Sequence, residues 1–205
     1  MKKLEQDYRS KYGGISTDYL QRILDYMGNI KLTKKLQNFV VEEMTRIQSI
    51  QWKTVRFVIY LVPKACPRPR HNFSRNIFYV SGAKDNRDIF QEAFSSANIE
   101  KINMPCKFTC VSYLPIPSSM STGEVLLAEA GLIRPCPKPD WDNLGKTYSD
   151  MIQGSLLLDD ALIIEGVSKK FYSLKPRIEV TIEYMTDFDS KYNANKIRKK
   201  VSCDE

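Results

Sequence analysis

Residues 138–154 read KPDWDNLGKTYSDMIQG, and how this stretch folds decides what its neighbours can be. Pro139 disfavours helix at Lys138, because its ring crowds the preceding residue out of the α region. A helix therefore starts near Asp140 to Asp142, with Asp142 as a good N-cap. Leu144, Tyr148, Met151 and Ile152 then fall on one buried face, and Gly154 is a suitable residue just past the helix end. Lys146 lies one turn beyond Asp142 on the same face.

Working outward, residues 156–164, LLLDDALII, set Asp159 and Asp160 between apolar runs. Residues 176–185, PRIEVTIEYM, alternate Ile178, Val180, Ile182 and Tyr184 against Glu179, Thr181 and Glu183, the period of a half-buried strand. On the other side, CKFTCVSYLPIP (106–117) reads as a strand stopped by proline, and 115–139 as a long loop with a short helix at GEVLLAEAG. KTVRFVIYLVP (53–63) alternates Val55, Phe57, Ile59 and Leu61, and NIFYVSG (76–82) reads as a second short strand. Between them and the central strand, KDNRDIFQEAFSSAN (84–98) carries Ile89, Phe90, Ala93, Phe94 and Ala97 on one helical face.

The first fifty residues form two amphipathic segments, STDYLQRILDYMGN and LTKKLQNFVVEEMTRIQ, expected as a helical hairpin. The fold class expected is α+β: a small mixed or antiparallel sheet packed with helices, preceded by that hairpin. The domains expected are an extension over 1–50, a main domain over 51–185 and a basic C-terminal tail over 186–205.

Composition narrows the partners. An apolar fraction of 42% and a charged fraction of 27% belong to a globular protein, and the net charge of +7 favours a polyanion such as nucleic acid. The five cysteines show no zinc-ligand clustering, and His71 is the single histidine. The N-terminus has no apolar core of a signal peptide, and no run reaches membrane-spanning length, so a cytoplasmic protein without a membrane partner is expected.

Acids framed by apolar residues are held somewhere specific, and two such clusters joined by a capped helix suit a hard cation. Magnesium takes oxygen ligands and is held by one or two carboxylates plus substrate phosphates. Phosphodiester hydrolysis follows, with a metal-activated water as nucleophile and a lysine stabilising the developing charge. Plainer readings stand beside this one. Asp140 and Asp142 also serve a helix N-terminus through the dipole, and Asp159-Asp160 also suit a turn. DWDNLG imitates the start of an EF-hand loop but fails it, since Leu144 and Met151 occupy ligand positions.

KPDWDNLGKTYSDMIQG followed by LLLDDALIIEGVSKKFY resembles the signature of the RusA-type Holliday junction resolvases. Asp140, Asp142, Asn143, Leu144, Lys146, Asp150, Gly154, Asp159, Asp160 and Lys169 match its elements in order, and IYLVPKACPRPRH resembles the family's proline- and arginine-rich turn after the first strand. The resemblance spans roughly 52–185. It implies a homodimeric endonuclease, bacterial or phage-encoded, that cuts four-way DNA junctions with Mg²⁺, for which Mn²⁺ substitutes. By position it implies Asp140, Asp142 and Asp160 as metal-binding carboxylates, Asp159 as a further ligand and Lys146 as the lysine at the scissile phosphate. A less selective nuclease of branched DNA and a non-catalytic junction-binding protein are the rival readings.

Lys64, Arg68, Arg70, Arg75, Arg134, Lys138, Lys169 and Lys170 are the candidate DNA-binding cations. His71 reads as a solvated loop residue. Phe73, Phe78 and Tyr79 are candidates for stacking on bases, with core packing favoured for Phe78. Gly145 is out of place inside a helix, where it costs ~1 kcal/mol relative to alanine; a close approach by DNA or a neighbouring element would explain it.

Overall fold

A computed structural model describes residues 25–26, 33–65, 70–72, 77–79, 87–96 and 100–188. The chain divides into two units, Met1–Ser49 and Ile50–Glu205. In the first, α1 (Lys34–Ser49) is held at its start by a bond from the Leu36 amide to the Thr33 hydroxyl and near its end by an Arg46–Glu43 pair at 2.7 Å. The other half of the expected hairpin lies outside the described residues, apart from the helical Asp25 and Tyr26. The tail beyond Phe188 lies outside them too.

The second unit runs β1 (Trp52–Ile59), β2 (Arg70–Asn72), β3 (Ile77–Tyr79), α2 (Arg87–Ser96), β4 (Cys106–Pro115), α3 (Thr122–Glu129), α4 (Trp141–Ile152), a 3₁₀ turn (Asp160–Leu162), β5 (Ile163–Ser173) and β6 (Arg177–Met185). Four strands make one sheet in the order β1-β6-β4-β5. β6 pairs antiparallel with both β1 and β4, whereas β4 and β5 are parallel. The sheet is thus mixed, as expected for this α+β fold.

A parallel pair cannot be closed by a hairpin and needs a crossover, which α3 and α4 supply. The period of two shows in β4, where Cys106, Phe108, Cys110, Ser112 and Leu114 are buried and the intervening residues half-buried. Cys106, Phe108 and Cys110 of this row join Ile178, Val180 and Ile182 of β6 and meet Leu144, Tyr148, Met151 and Ile152 of α4 in one core, while Leu114 packs with Ala128 and Tyr172 in a second cluster. α2 enters the same core through Phe90, which stacks on Tyr148 at 5.2 Å, and Phe94, edge-on to Phe57 at 4.7 Å. These are the residues whose spacing marked the two helices.

The strand at NIFYVSG exists as β3, but its partner is β2 in a separate two-stranded sheet. His71, expected in a loop, lies within β2 opposite Phe78. α3 opens with a reciprocal capping box, in which the Ser121 hydroxyl accepts from the Glu124 amide while Glu124 accepts from the Ser121 amide at 2.7 Å. Bonds donated to the Glu124 carboxylate by the Ser121 amide and by the Ser121 hydroxyl, each at 2.7 Å, hold it below its ordinary range.

Burial pushes the Cys106 thiol up to about 11 and the Cys110 thiol up to about 12, so neither forms the reactive thiolate near neutral pH. Cys136 is exposed. Brief alkylation of the native protein at pH 7.5, followed by peptide mapping, should label Cys136 and spare Cys106 and Cys110 until denaturant is added.

Candidate active site

The acid pair sits at the N-terminus of α4. Asp140, not Asp142, is the N-cap residue: it is extended at φ −68°, ψ 146°, and its carbonyl accepts the first helical bond from the Leu144 amide at 3.1 Å. The sequence expectation is corrected here by two residues. Asp142 belongs to the first helical turn, where the unpaired amides of the helix end favour a negative charge. The Asp140 carboxylate makes no capping bond, so the capping role alone does not account for it. Both acids are exposed.

One turn on, Lys146 is 70% exposed and reaches Asp150 Oδ1 at 3.4 Å. Asp142, Lys146 and Asp150 thus follow one another at i, i+4 spacing along an open edge of α4. So exposed an ion pair is worth little, and a phosphate can displace it.

What fixes this helix end is β5. The Lys170 ammonium donates to the carbonyls of Pro137 and Pro139, each at 3.0 Å, and so straps down the turn that enters Asp140. The Ser168 hydroxyl donates to the Trp141 carbonyl at 2.8 Å. Arg134 donates through Nε to the Lys170 carbonyl at 2.8 Å and lies 3.5 Å over the Phe171 ring. Lys170 and Arg134, expected as DNA-binding cations, thus also hold the acid-bearing segment.

Gly145 also finds its reason in β5. A Cβ added there would lie 3.0 Å from Ser168 Cβ, so the close approach belongs to a neighbouring strand. Gly145→Ala should shift stability by no more than about 1 kcal/mol, the helix gain offsetting the squeeze. Gly145→Val should cost about 1–3 kcal/mol in a urea melt, because the strand backbone must move.

Asp159 and Asp160 lie at the other end of β5. Asp159 caps the 3₁₀ turn by accepting from the Ala161 amide at 2.9 Å, which is the turn role weighed for it. The Asp160 carboxylate, half-buried, has no hydrogen bond or ion pair among the described residues. Asp140 and Asp142 thus stand at the start of α4, and Asp159 and Asp160 at the 3₁₀ turn that leads into β5. Among the described residues no three acidic, histidine or cysteine groups gather as a metal centre requires. Hard oxygen donors of the right kind are present, without a closed site around them among the described residues.

Lys64, Lys138 and Lys169 are exposed. Arg70 opens β2, while Arg68, Arg75 and Phe73 lie outside the described residues. Tyr148 contributes something its place in the core row did not announce. Its hydroxyl accepts from the Lys64 amide at 3.0 Å and donates to the Lys64 carbonyl at 3.2 Å, tying the start of the basic turn to α4. No helix among the described residues is long and apolar enough to cross a membrane.

Comparison with known proteins covers the acid-bearing helix and the second acid pair. Residues 61–183, more than half of the chain, match the family model described as endodeoxyribonuclease RusA. The chain is also 30% identical over 134 residues to the uncharacterized protein YqaN of Bacillus subtilis (strain 168), an alignment covering 62% of this chain and 94% of that one. The matched span takes in α4, both acid pairs and all but the last two residues of β6, and the chain belongs to the RusA family of endodeoxyribonucleases, the RusA-type Holliday junction resolvases.

Proposed function

We propose that this chain is a magnesium-dependent, structure-selective endonuclease that resolves four-way DNA junctions by paired symmetric nicks and acts as a homodimer. Residues 51–185 form its nuclease domain, 1–50 a helical extension and 186–205 a basic tail. The observation that carries the reading is the exposed end of α4, where Asp140 and Asp142 stand one turn from Lys146 on a segment strapped to β5. Asp140, Asp142 and Asp160 are the metal-binding carboxylates in this reading, with Asp159 beside them. Mg²⁺ matches their oxygen donors, and Mn²⁺ substitutes for it.

Lys146 has the reach and the freedom to leave Asp150 for a phosphate oxygen, where its charge steadies the developing negative charge. Lys64, Lys138 and Lys169, with Arg68, Arg70 and Arg75 of the basic turn, supply the salt-dependent hold on the backbone. The place of action is bacterial or phage DNA in the cytoplasm.

Incubation with a synthetic four-way junction tests the reading, with a flap and a linear duplex alongside and with Mg²⁺ or EDTA. Symmetric nicks in the junction that need Mg²⁺ are expected. Equal cutting of all three substrates would replace junction resolution by a less selective nuclease. Binding without any cutting would leave a junction-binding protein.

A further inference from the structure

Trp141 stands between Asp140 and Asp142 as the first residue of α4. Consecutive Cα atoms are about 3.8 Å apart, so its ring leaves the backbone within one residue of both acids. Residues four apart share a stripe of a helix. Trp141 is thus in line with Gly145, where α4 meets Ser168 of β5, and Asp142 is in line with Lys146 on the adjoining edge. Although its stripe is turned to the sheet, Trp141 is not covered by it and remains 62% exposed.

An indole is a large apolar body, and one left in water forgoes the gain of burial. The other tryptophan, Trp52, has the Lys107 ammonium 5.6 Å from its ring centre, and Phe171 and Tyr113 lie under the guanidinium groups of Arg134 and Arg177. The Trp141 ring has no stacking or cationic partner among the described residues. Its backbone, by contrast, is fixed. The Ser168 hydroxyl donates to the Trp141 carbonyl at 2.8 Å, and the Lys170 ammonium holds the carbonyls of Pro137 and Pro139 just before it. Little freedom is then left to lose, since the indole turns about its two side-chain torsions alone. A bare aromatic face on a rigid mount has the build of a platform for a nucleobase, because every base offers a π-face to stack on. The net charge of +7, with Lys138 and Lys146 exposed on either side of Trp141 in the chain, favours a nucleotide as the occupant.

The shape of the DNA decides which bases are within reach. Inside a linear duplex both faces of a base are covered by its neighbours, and extracting it costs pairing and stacking. Where four arms meet and open, each arm ends in a base pair with one face bare. We infer that Trp141 stacks on such a base at the branch point, beside the phosphate handled at Asp142 and Lys146, and that this contact supplies part of the preference for branched over linear DNA. The inference rests on the nuclease reading above and adds to it the side chain that reads the branch.

Trp52→Phe leaves Trp141 as the single tryptophan, so its emission reports the contact directly. In EDTA, titration with a four-way junction should quench that emission strongly. A linear duplex of equal length, brought to equal occupancy by gel shift, should leave it nearly unchanged. In the otherwise native chain, Trp141→Ala should weaken junction binding about ten- to hundredfold and leave duplex binding as it was. Trp141→Phe should recover most of the loss, whereas Trp141→Leu, apolar but without a π-face, should not. Emission that ignores the junction, or junction binding by Trp141→Ala at wild-type strength, overturns the stacking; if the wild type still nicks junctions in Mg²⁺, the nuclease reading stands. Emission that follows protein concentration without DNA, together with dissociation of the Trp141→Ala protein in sedimentation, assigns the ring to a contact between copies and overturns the stacking as well. A wild type that neither binds nor cuts branched DNA overturns both.

Discussion

Asp142→Asn should leave a folded protein that still binds four-way junctions, with nicking in Mg²⁺ reduced by roughly two to three orders of magnitude or more. The substitution keeps the shape of the side chain and removes its charge. Asp142 sits in the first turn of α4, where loss of a carboxylate forfeits a dipole interaction of about 0.5 kcal/mol, too little to unfold the domain. The effect must then come from the chemistry: an amide oxygen is a poor donor to a hard cation, and Lys146 cannot replace a ligand. Binding should hold or tighten, because one negative charge fewer faces the phosphates.

The measurement is a gel shift and a nicking assay on the same protein preparation. Joint loss of binding and cutting, with an unchanged thermal melt, would mean that Asp142 organises the DNA surface. Unchanged cutting would remove α4 from the chemistry altogether.

Much of the architecture was legible because local periods survive in it. α4 announced itself through Pro139 and the spacing of Leu144, Tyr148, Met151 and Ile152, and β6 through alternation from Ile178 to Tyr184. β5 was harder. Asp159-Asp160, Gly166 and the double lysine at 169–170 break any simple alternation, and its identity as a strand comes from parallel pairing with β4, a contact across some fifty residues of chain. β2 is three residues within a proline-rich basic turn, too short to carry a period. The short helix expected at GEVLLAEAG begins with a capping box of Ser121 and Glu124, which that expectation did not include.

The site divides along the same line. The acids and Lys146 stand out by type and spacing, but which end of the crossover each occupies is a property of topology, invisible in the spacing. Gly145 marked a close approach without naming Ser168 as its cause. Lys169 and Lys170 look alike in the sequence. Their roles part only because successive residues of a strand face opposite sides, and the carbonyls that Lys170 meets are 33 and 31 residues away.

Lys170 is accordingly where sequence and structure make opposite forecasts. As a DNA-binding cation it would contribute one phosphate contact, and its loss would lower the salt slope of junction binding by about 1 and weaken binding while leaving turnover alone. As the strap on the Pro137–Pro139 turn it positions Asp140 and Asp142, and its loss acts on turnover. Lys170→Met keeps the stem and deletes the ammonium, leaving two carbonyls without their charged donor. About 2 kcal/mol of stability should go with those bonds, discounted for the partial exposure of the site. A displacement of the acids by about 1 Å should reduce kcat about a hundredfold. KM for the junction and the salt slope should stay near wild type, because in this role the lost charge serves the two carbonyls and not a phosphate. Lys170→Arg retains a cationic donor able to bridge two carbonyls and should recover most of the loss in kcat, to within about tenfold of wild type. A fall in the salt slope with kcat intact would return Lys170 to the DNA surface and leave Ser168 as the anchor of α4 on β5.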